Sequence, residues 1–297
     1  MTAELMAAVA RRAGAAVVES WALAGGDIHQ AMGVRLADGR RLFVKTNPSP
    51  TAGMFAAEAR GLEWLCDSAA LRIPEVLAVS DEDAISGEPR FLALEYLEPA
   101  PRVRGFEEML GRGLAAMHRF GAPSFGLDRD NFIGVLPQSN APLSDWPSFY
   151  RERRLLPQLR RAADRGLAGE RLCRDFDRLF ARLEALFGDA EPPSRLHGDL
   201  WGGNLHVDER GHPCLIDPAA YGGHREIDLA MMRLFGGFGG RVFGAYQESW
   251  PLAPGAEERV SLHQLYPLLV HLNHFGASYQ SAVAGALEGA LSAGSAH

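Results

Sequence analysis

The stretch His197-Gly198-Asp199-Leu200-Trp201-Gly202-Gly203-Asn204, followed by Leu215-Ile216-Asp217, decides how the rest of the chain is read. Asp199 and Asn204 stand at a spacing that suits phosphoryl transfer: the Asp takes the proton of an attacking hydroxyl and the Asn holds a phosphate-bound cation. Leu205-His206-Val207 and Pro213-Cys214-Leu215-Ile216 are short apolar runs joined by the turn-rich Asp208-Glu209-Arg210-Gly211, which predicts a hairpin. Such a hairpin brings Asn204 at its entry beside Asp217 at its exit, two oxygen donors of the kind magnesium takes. Any one of these polar residues alone reads as a turn former. The string as a whole reads as the base and cation-binding half of a site that transfers phosphate from ATP, with Asp199 as base and Asn204 and Asp217 as Mg2+ ligands.

Gly198 stands where protein kinases carry an Arg that reads a phosphorylated activation loop. Asp217-Pro218-Ala219 replaces the DFG string of those enzymes, and no APE-ended segment follows. Both features point to a small acceptor rather than to regulated phosphorylation of proteins.

Working outward, Ala16 to Ala24 reads as a strand, Gly25-Gly26 as a tight turn, and Met32 to Leu36 with Arg41 to Thr46 as a hairpin closed at Asp38-Gly39. Met54 to Asp67 has helical apolar spacing, and Val76 to Val79 and Phe91 to Leu97 return to strand composition. From Phe106 the chain turns helical, with amphipathic runs at 106–120, 148–163, 170–187, 226–235 and 261–281. The expected architecture is α+β and bilobal: a small antiparallel sheet lobe with one key helix (1–97), a linker (98–104), and a larger mainly helical lobe (105–297). A nucleotide then occupies the cleft between the lobes.

Phe43-Val44-Lys45 ends a strand, and Glu58 follows on the helix that packs against the sheet. A buried carboxylate there is tolerable with a Lys partner, so Lys45 and Glu58 are expected to pair and to place the lysine on ATP phosphates. Gly25 and Gly26 are candidate phosphate covers, and the extended backbone of Glu95, Tyr96 and Leu97 offers amide and carbonyl groups to an adenine edge.

The 297 residues carry a formal net charge of -7, with 47% hydrophobic and 23% charged residues, enough for a sizeable core and two lobes. No basic excess of the sort that binds nucleic acid is present. The Arg-dense segment with Arg151, Arg153, Arg154, Arg160 and Arg161 reads as a solvated helix face. Cys66, Cys173 and Cys214 form no CxxC pair and read as reduced, mostly buried thiols. No run approaches the roughly 20 apolar residues of a membrane span. A cytoplasmic location is expected; no feature selects an oligomeric state.

These residues resemble the fructosamine kinase (ketosamine 3-kinase) family, within the wider protein-kinase-like group that includes aminoglycoside phosphotransferases and choline kinases. The resemblance covers nearly the whole chain. It rests on Phe43-Val44-Lys45, on Met54-Phe55 with Glu58, and on Leu136-Pro137-Gln138 with Asn140, Trp146 and Phe149. It is strongest at His197 to Asn204, Ile216 to Ala219, Tyr221 to Glu226 and Asp228 to Met231. Tyr266-Pro267-Leu268 and His271 to Gly276 extend it toward the C-terminus. It implies phosphorylation of the sugar 3-hydroxyl of ketosamines, small or carried on a glycated protein, in a deglycation repair. It implies Trp201 as a sugar-facing wall and His197 and Asp228 as supports of the catalytic loop. Asp27 stands where many members carry a Cys linked to redox-sensitive dimers, so that switch is expected to be missing. The nearest rival is a kinase of aminoglycoside, choline or homoserine-like alcohols. A nucleotide-binding pseudokinase is disfavoured by the filled core positions.

Overall fold

The computed structural model describes residues 2–23, 30–47, 51–82, 84 and 87–293. Helix α1 (Ala3–Ala13) begins at Thr2, whose hydroxyl accepts the Leu5 N–H, and ends where Gly14 takes a left-handed φ of 76°. Strands β1 (Val17–Ala22), β2 (Gln30–Leu36) and β3 (Arg41–Thr46) follow. Then come α2 (Met54–Cys66), β4 (Val76–Ser80) and β5 (Phe91–Glu95). The strands form one antiparallel sheet in the order β1-β2-β3-β5-β4.

The two-residue period of a strand sorts side chains to the two faces of this sheet. Leu42, Val44, Phe91 and Ala93 pack with Val9 of α1. Phe43, Leu92 and Leu94 pack with Phe55, Leu62 and Leu65 of α2. Lys45 shares the register of Phe43, so it points to the α2 side. The same cluster takes in Leu110, Leu114, Leu200 and Leu215 from the helical half, so α2 packs on both halves.

The helical half starts with α3 (Phe106–Phe120). A short hairpin, β6 (Asn131–Ile133) and β7 (Leu136–Gln138), precedes α4 (Trp146–Phe149), which continues through a π-helical turn at Tyr150–Leu155 into α5 (Leu156–Asp164). Then come α6 (Glu170–Phe180), α7 (Leu183–Phe187), β8 (Ser194–Leu196), the hairpin β9 (Leu205–Val207) and β10 (Pro213–Leu215), and β11 (Tyr221–Gly223). Helices α8 (Glu226–Phe235), α9 (Gly240–Ser249), α10 (Val260–Phe275) and α11 (Gln280–Ala293) complete it. Strand β11 pairs with β8, Tyr221 opposite Leu196, so the chain enters and leaves the site side by side. The segment between β5 and α3 is fastened to the hairpin turn: Ala100 N–H donates to Asp208 O at 3.3 Å and Val103 N–H to Gly211 O at 3.1 Å.

Several expectations are corrected. The run 170–187 is two helices, and 261–281 is broken by a 3-10 turn at Gly276–Tyr279. Past that turn the chain continues as α11, whose Val283, Leu287 and Ala290 bury against the core. Helix α9 and the β6–β7 pair lacked a readable pattern. Cys66 is exposed and Cys173 half-buried; only Cys214 is buried among the three thiols. Arg154 is not on a solvated face: it is fully buried.

Candidate active site

Strand β3 and helix α2 bring Lys45 Nζ to 2.9 and 3.1 Å from the two Glu58 oxygens, and the same ammonium reaches Asp217 Oδ1 at 2.9 Å. Burial opposes the lysine's charge, but the two carboxylates outweigh it and raise the Lys45 pKa. The same lysine holds the Asp217 carboxyl below its ordinary range against desolvation. Burial pushes Glu58 upward, with Lys45 opposing.

The β9–β10 hairpin does what its spacing predicts. Asn204 and Asp217 flank it, and Ile216 N–H donates to Asn204 O at 3.1 Å. Asn204 Nδ2 donates to Asp199 O at 2.7 Å, Asp199 Oδ2 at 3.1 Å and Asp217 O at 3.3 Å. Three acceptors around one nitrogen settle the amide's orientation and turn its Oδ1 away from them. Asp217 takes a left-handed φ of 54°, unusual for a residue with a side chain, and its carboxylate is partly exposed to the cleft. An amide oxygen and a carboxylate beside this cleft are the hard donors that Mg2+ accepts, so the residues present fit that ion.

Asp199 is pushed up to about 7, first by burial, then by Asp217 and Asp228, with the Asn204 hydrogen bond and Lys45 opposing. Its loop is held from behind. Asp228 on α8 accepts from His197 N–H at 2.8 Å and Gly198 N–H at 3.0 Å, and His118 Nε2 lies 3.2 Å away. His197 is buried, which keeps its ring neutral; Nδ1 accepts the Asp199 N–H and Nε2 donates to Ile216 O at 2.9 Å. Gly198 has a φ of 81°, and a Cβ there would lie 2.1 Å from Ala219 O. The Arg of protein kinases therefore has no room at this position.

The cleft holds about 720 Å³, in the usual range for a small-molecule site. Phe43 and Leu94 line its sheet side, and Asp199, Trp201, Asn204 and Asp217 its helical side. Trp201 is 41% exposed and its ring lies over Gly203, where a Cβ would come within 2.2 Å of it. At the end of β5, Glu95 N–H is taken by Glu75 O and Tyr96 N–H by Arg41 O, so neither amide is free for an adenine. Glu95's carboxylate accepts from Glu75 N–H at 2.8 Å and pairs with Arg72. Amide donation to adenine from Glu95 and Tyr96 is corrected on that count, which leaves Leu97 N–H as the candidate donor and the backbone carbonyls of Glu95, Tyr96 and Leu97 as candidate acceptors. Gly25, Gly26, Asp27 and His29 lie outside the described residues.

A second group of metal-capable side chains, His224, Glu226 and His263, is buried. Arg259 occupies both Glu226 oxygens at 2.8 and 2.6 Å, so this is an ion-pair cluster without a free carboxylate. Sequence reading missed Asn131, which lines the cleft, and Gln138, which bonds to it from behind; the only signal was their place in or near a motif with no stated role.

A small sheet set on a helical half, with a lysine–glutamate pair and an Asp/Asn/Asp loop across the cleft, defines a kinase-like phosphotransferase. Solved macrolide, aminoglycoside and choline kinases have this fold at 13–18% identity. The family model for fructosamine kinase matches residues 1–293, and the chain belongs to that family. A candidate fructosamine-3-kinase from Thermobifida fusca, known by crystal structure, is 43% identical with a TM-score of 0.88, covering 97% of this chain and 98% of that one. A "Probable ketoamine kinase" of Enterococcus faecium is 37% identical over 265 residues, 89% of this chain and 92% of that protein. The chloroplastic protein-ribulosamine 3-kinase of Oryza sativa subsp. japonica is 36% identical over 262 residues, 87% of this chain and 75% of that protein. No helix among the described residues is long and apolar enough to cross a membrane.

Proposed function

We propose that this kinase transfers the γ-phosphoryl group of ATP to the sugar 3-hydroxyl of ketosamines, the adducts formed when a reducing sugar glycates an amine. The observation that carries the reading is the convergence of Lys45, Asp199, Asn204 and Asp217 on one cleft in a member of the fructosamine kinase family. The names of the ketoamine and ribulosamine kinases it resembles support the acceptor.

In this reading Lys45, kept charged by Glu58, binds nucleotide phosphates, and Leu97 N–H meets the adenine edge. Asp199, in its unprotonated form, accepts the proton of the attacking hydroxyl, and Trp201 walls the sugar. Asn204 Oδ1 and the Asp217 carboxylate hold Mg2+, which when bound neutralises charge on the phosphates. His197 and Asp228 do not touch the reacting groups; they keep the Asp199 loop in place. Catalysis then comes mostly from positioning and fixed charge.

The test is ADP release with magnesium-ATP and a panel of ribulose-lysine, fructose-lysine, free sugars, aminoglycosides and choline, with the new phosphate located by NMR. Activity confined to ketosamines, with phosphate on the 3-hydroxyl, is expected. Activity only on other alcohols would overturn the acceptor and leave the phosphotransfer chemistry standing.

A further inference from the structure

Arg154 is a fully buried cation whose hydrogen-bond partners among the described residues are carbonyl and amide oxygens, not carboxylates. Its guanidinium lies 3.8 Å from the centre of the Tyr221 ring and 4.6 Å from that of Phe149, between aromatic faces that favour a cation. Nη1 donates to Ser139 O at 2.6 Å and to Arg153 O at 3.1 Å, Nη2 donates to Asn140 Oδ1 at 2.7 Å, and the buried Nε has no hydrogen-bond partner among the described residues. The π-helical turn at Tyr150–Leu155 carries it, and such turns recur at functional sites.

A chain of amides runs from Arg154 toward the site. Asn140 Nδ2 donates to Asn131 Oδ1 at 2.8 Å, and to Arg129 O at 3.1 Å. Asn131 Oδ1 also receives Gln138 Nε2 at 2.8 Å, and Asn131 Nδ2 donates to Ala220 O at 2.9 Å. Gln138 Nε2 reaches Ala219 O at 3.1 Å while its Oε1 accepts from the Tyr266 hydroxyl at 2.5 Å. The chain thus ends on two carbonyls of the segment that follows Asp217, the residue forced into left-handed φ. A guanidinium only donates. Asn140 must therefore turn its oxygen to Arg154 and its nitrogen to Asn131, whose own nitrogen is then left to face Ala220.

We infer that Arg154 is a positioning residue: through the Asn140–Asn131–Gln138 amides it fixes the Asp217–Ala220 segment in the geometry that magnesium-bound nucleotide requires. The inference rests on the reading of Asp217 as a cation ligand. It gives a role to Gln138 and Asn140, which belong to the resemblance but not to the cleft. It also explains a buried charge held by carbonyl and amide oxygens: the charge sets the direction of the chain.

Asn140→Asp is the informative variant, because the new carboxylate still satisfies Arg154 but cannot donate. Two oxygens then face each other either at Asn131 or, if Asn131 reverses, at Ala220. Calorimetric titration with ADP, with magnesium and separately with EDTA, reads the result alongside thermal melting. A folded variant with magnesium-ADP affinity about tenfold weaker and ADP affinity in EDTA unchanged is expected, the size of one lost hydrogen bond to a buried group. Unchanged magnesium-ADP affinity, or an equal loss in EDTA, overturns the inference. If Asn140→Asp does not fold, Arg154→Met is measured in the same way and judged by the same two affinities. Failure of the wild-type protein to bind magnesium-ADP would instead overturn the phosphotransferase reading beneath it.

Discussion

Lys45 Nζ and Asp217 Oδ1 lie 2.9 Å apart across the cleft, although they stand 172 positions apart in the chain. One belongs to the sheet and the other to the hairpin exit, so this contact ties the two halves of the site electrostatically. Glu58 holds the same ammonium from the sheet side. The lysine is thus oriented before any nucleotide arrives, and the position of α2 decides where it points.

Lys45→Met leaves Glu58 mostly buried without its cation. Removing one partner of a buried pair costs on the order of 3 kcal/mol, which Glu58 reduces by taking up a proton. A fall in Tm of roughly 5–10 °C is expected, with loss of nucleotide affinity. The double variant Lys45→Met/Glu58→Leu should recover much of the Tm and none of the affinity, as melting and calorimetry will show.

With magnesium-ATP and ketosamine both well below saturation, the pH profile of the rate reports the free enzyme, in which Asp199 is pushed up to about 7. A base works only when unprotonated, so the rate should be level above about pH 8, reach half its plateau near pH 7 and fall about tenfold per unit well below that. Asp199→Asn should lower turnover roughly 10²- to 10⁴-fold with little change in magnesium-ATP affinity. Near wild-type turnover in that variant would remove Asp199 from its role.

Asp228 faces two backbone N–H groups and His118, and an amide at this position turns an NH2 toward at least one of them. Asp228→Asn should lower stability by about 2 kcal/mol and turnover at least about tenfold, because the Asp199 loop loses its anchor. A melting curve and kcat measured together check this. A stable variant with full turnover would show that the loop holds its shape without the carboxylate.

Gly203→Ala sets a Cβ against the Trp201 ring, which must then move. The KM for the ketosamine should rise several-fold while the KM for ATP stays near its original value, and Trp201→Ala should act in the same direction. An equal rise in both KM values would place Trp201 outside the acceptor subsite.

The string from His197 to Asn204 and the Leu215-Ile216-Asp217 run were legible because their meaning is local: spacing within one loop and one hairpin dictates which groups end up adjacent. The sheet and α2 were legible because alternation and helical period expose which face is buried. The direction of Lys45 could be read in the same way, since it shares the register of Phe43. The three-residue strands β8 and β11 were not legible, because their pairing depends on a partner more than twenty positions away and on no periodic pattern of their own. Helix α11 was missed because its composition lacks a strong apolar stripe; packing against α10 stabilises it.

Arg154 shows where local reading ends. In sequence it is one of five arginines in a helical run, and the amphipathic pattern assigns it to solvent. Burial among Phe149 and Tyr221, with an amide chain to receive its donors, reverses that assignment. The sequence by itself determined which residues are proposed to carry the chemistry, since a base, an amide and a carboxylate at fixed local spacing have few other uses together. Only the tertiary structure decided their charge states, the closure of Gly198 against Ala219, and the buried network behind Asp217. Those depend on which distant groups are desolvated side by side, and no local pattern records that.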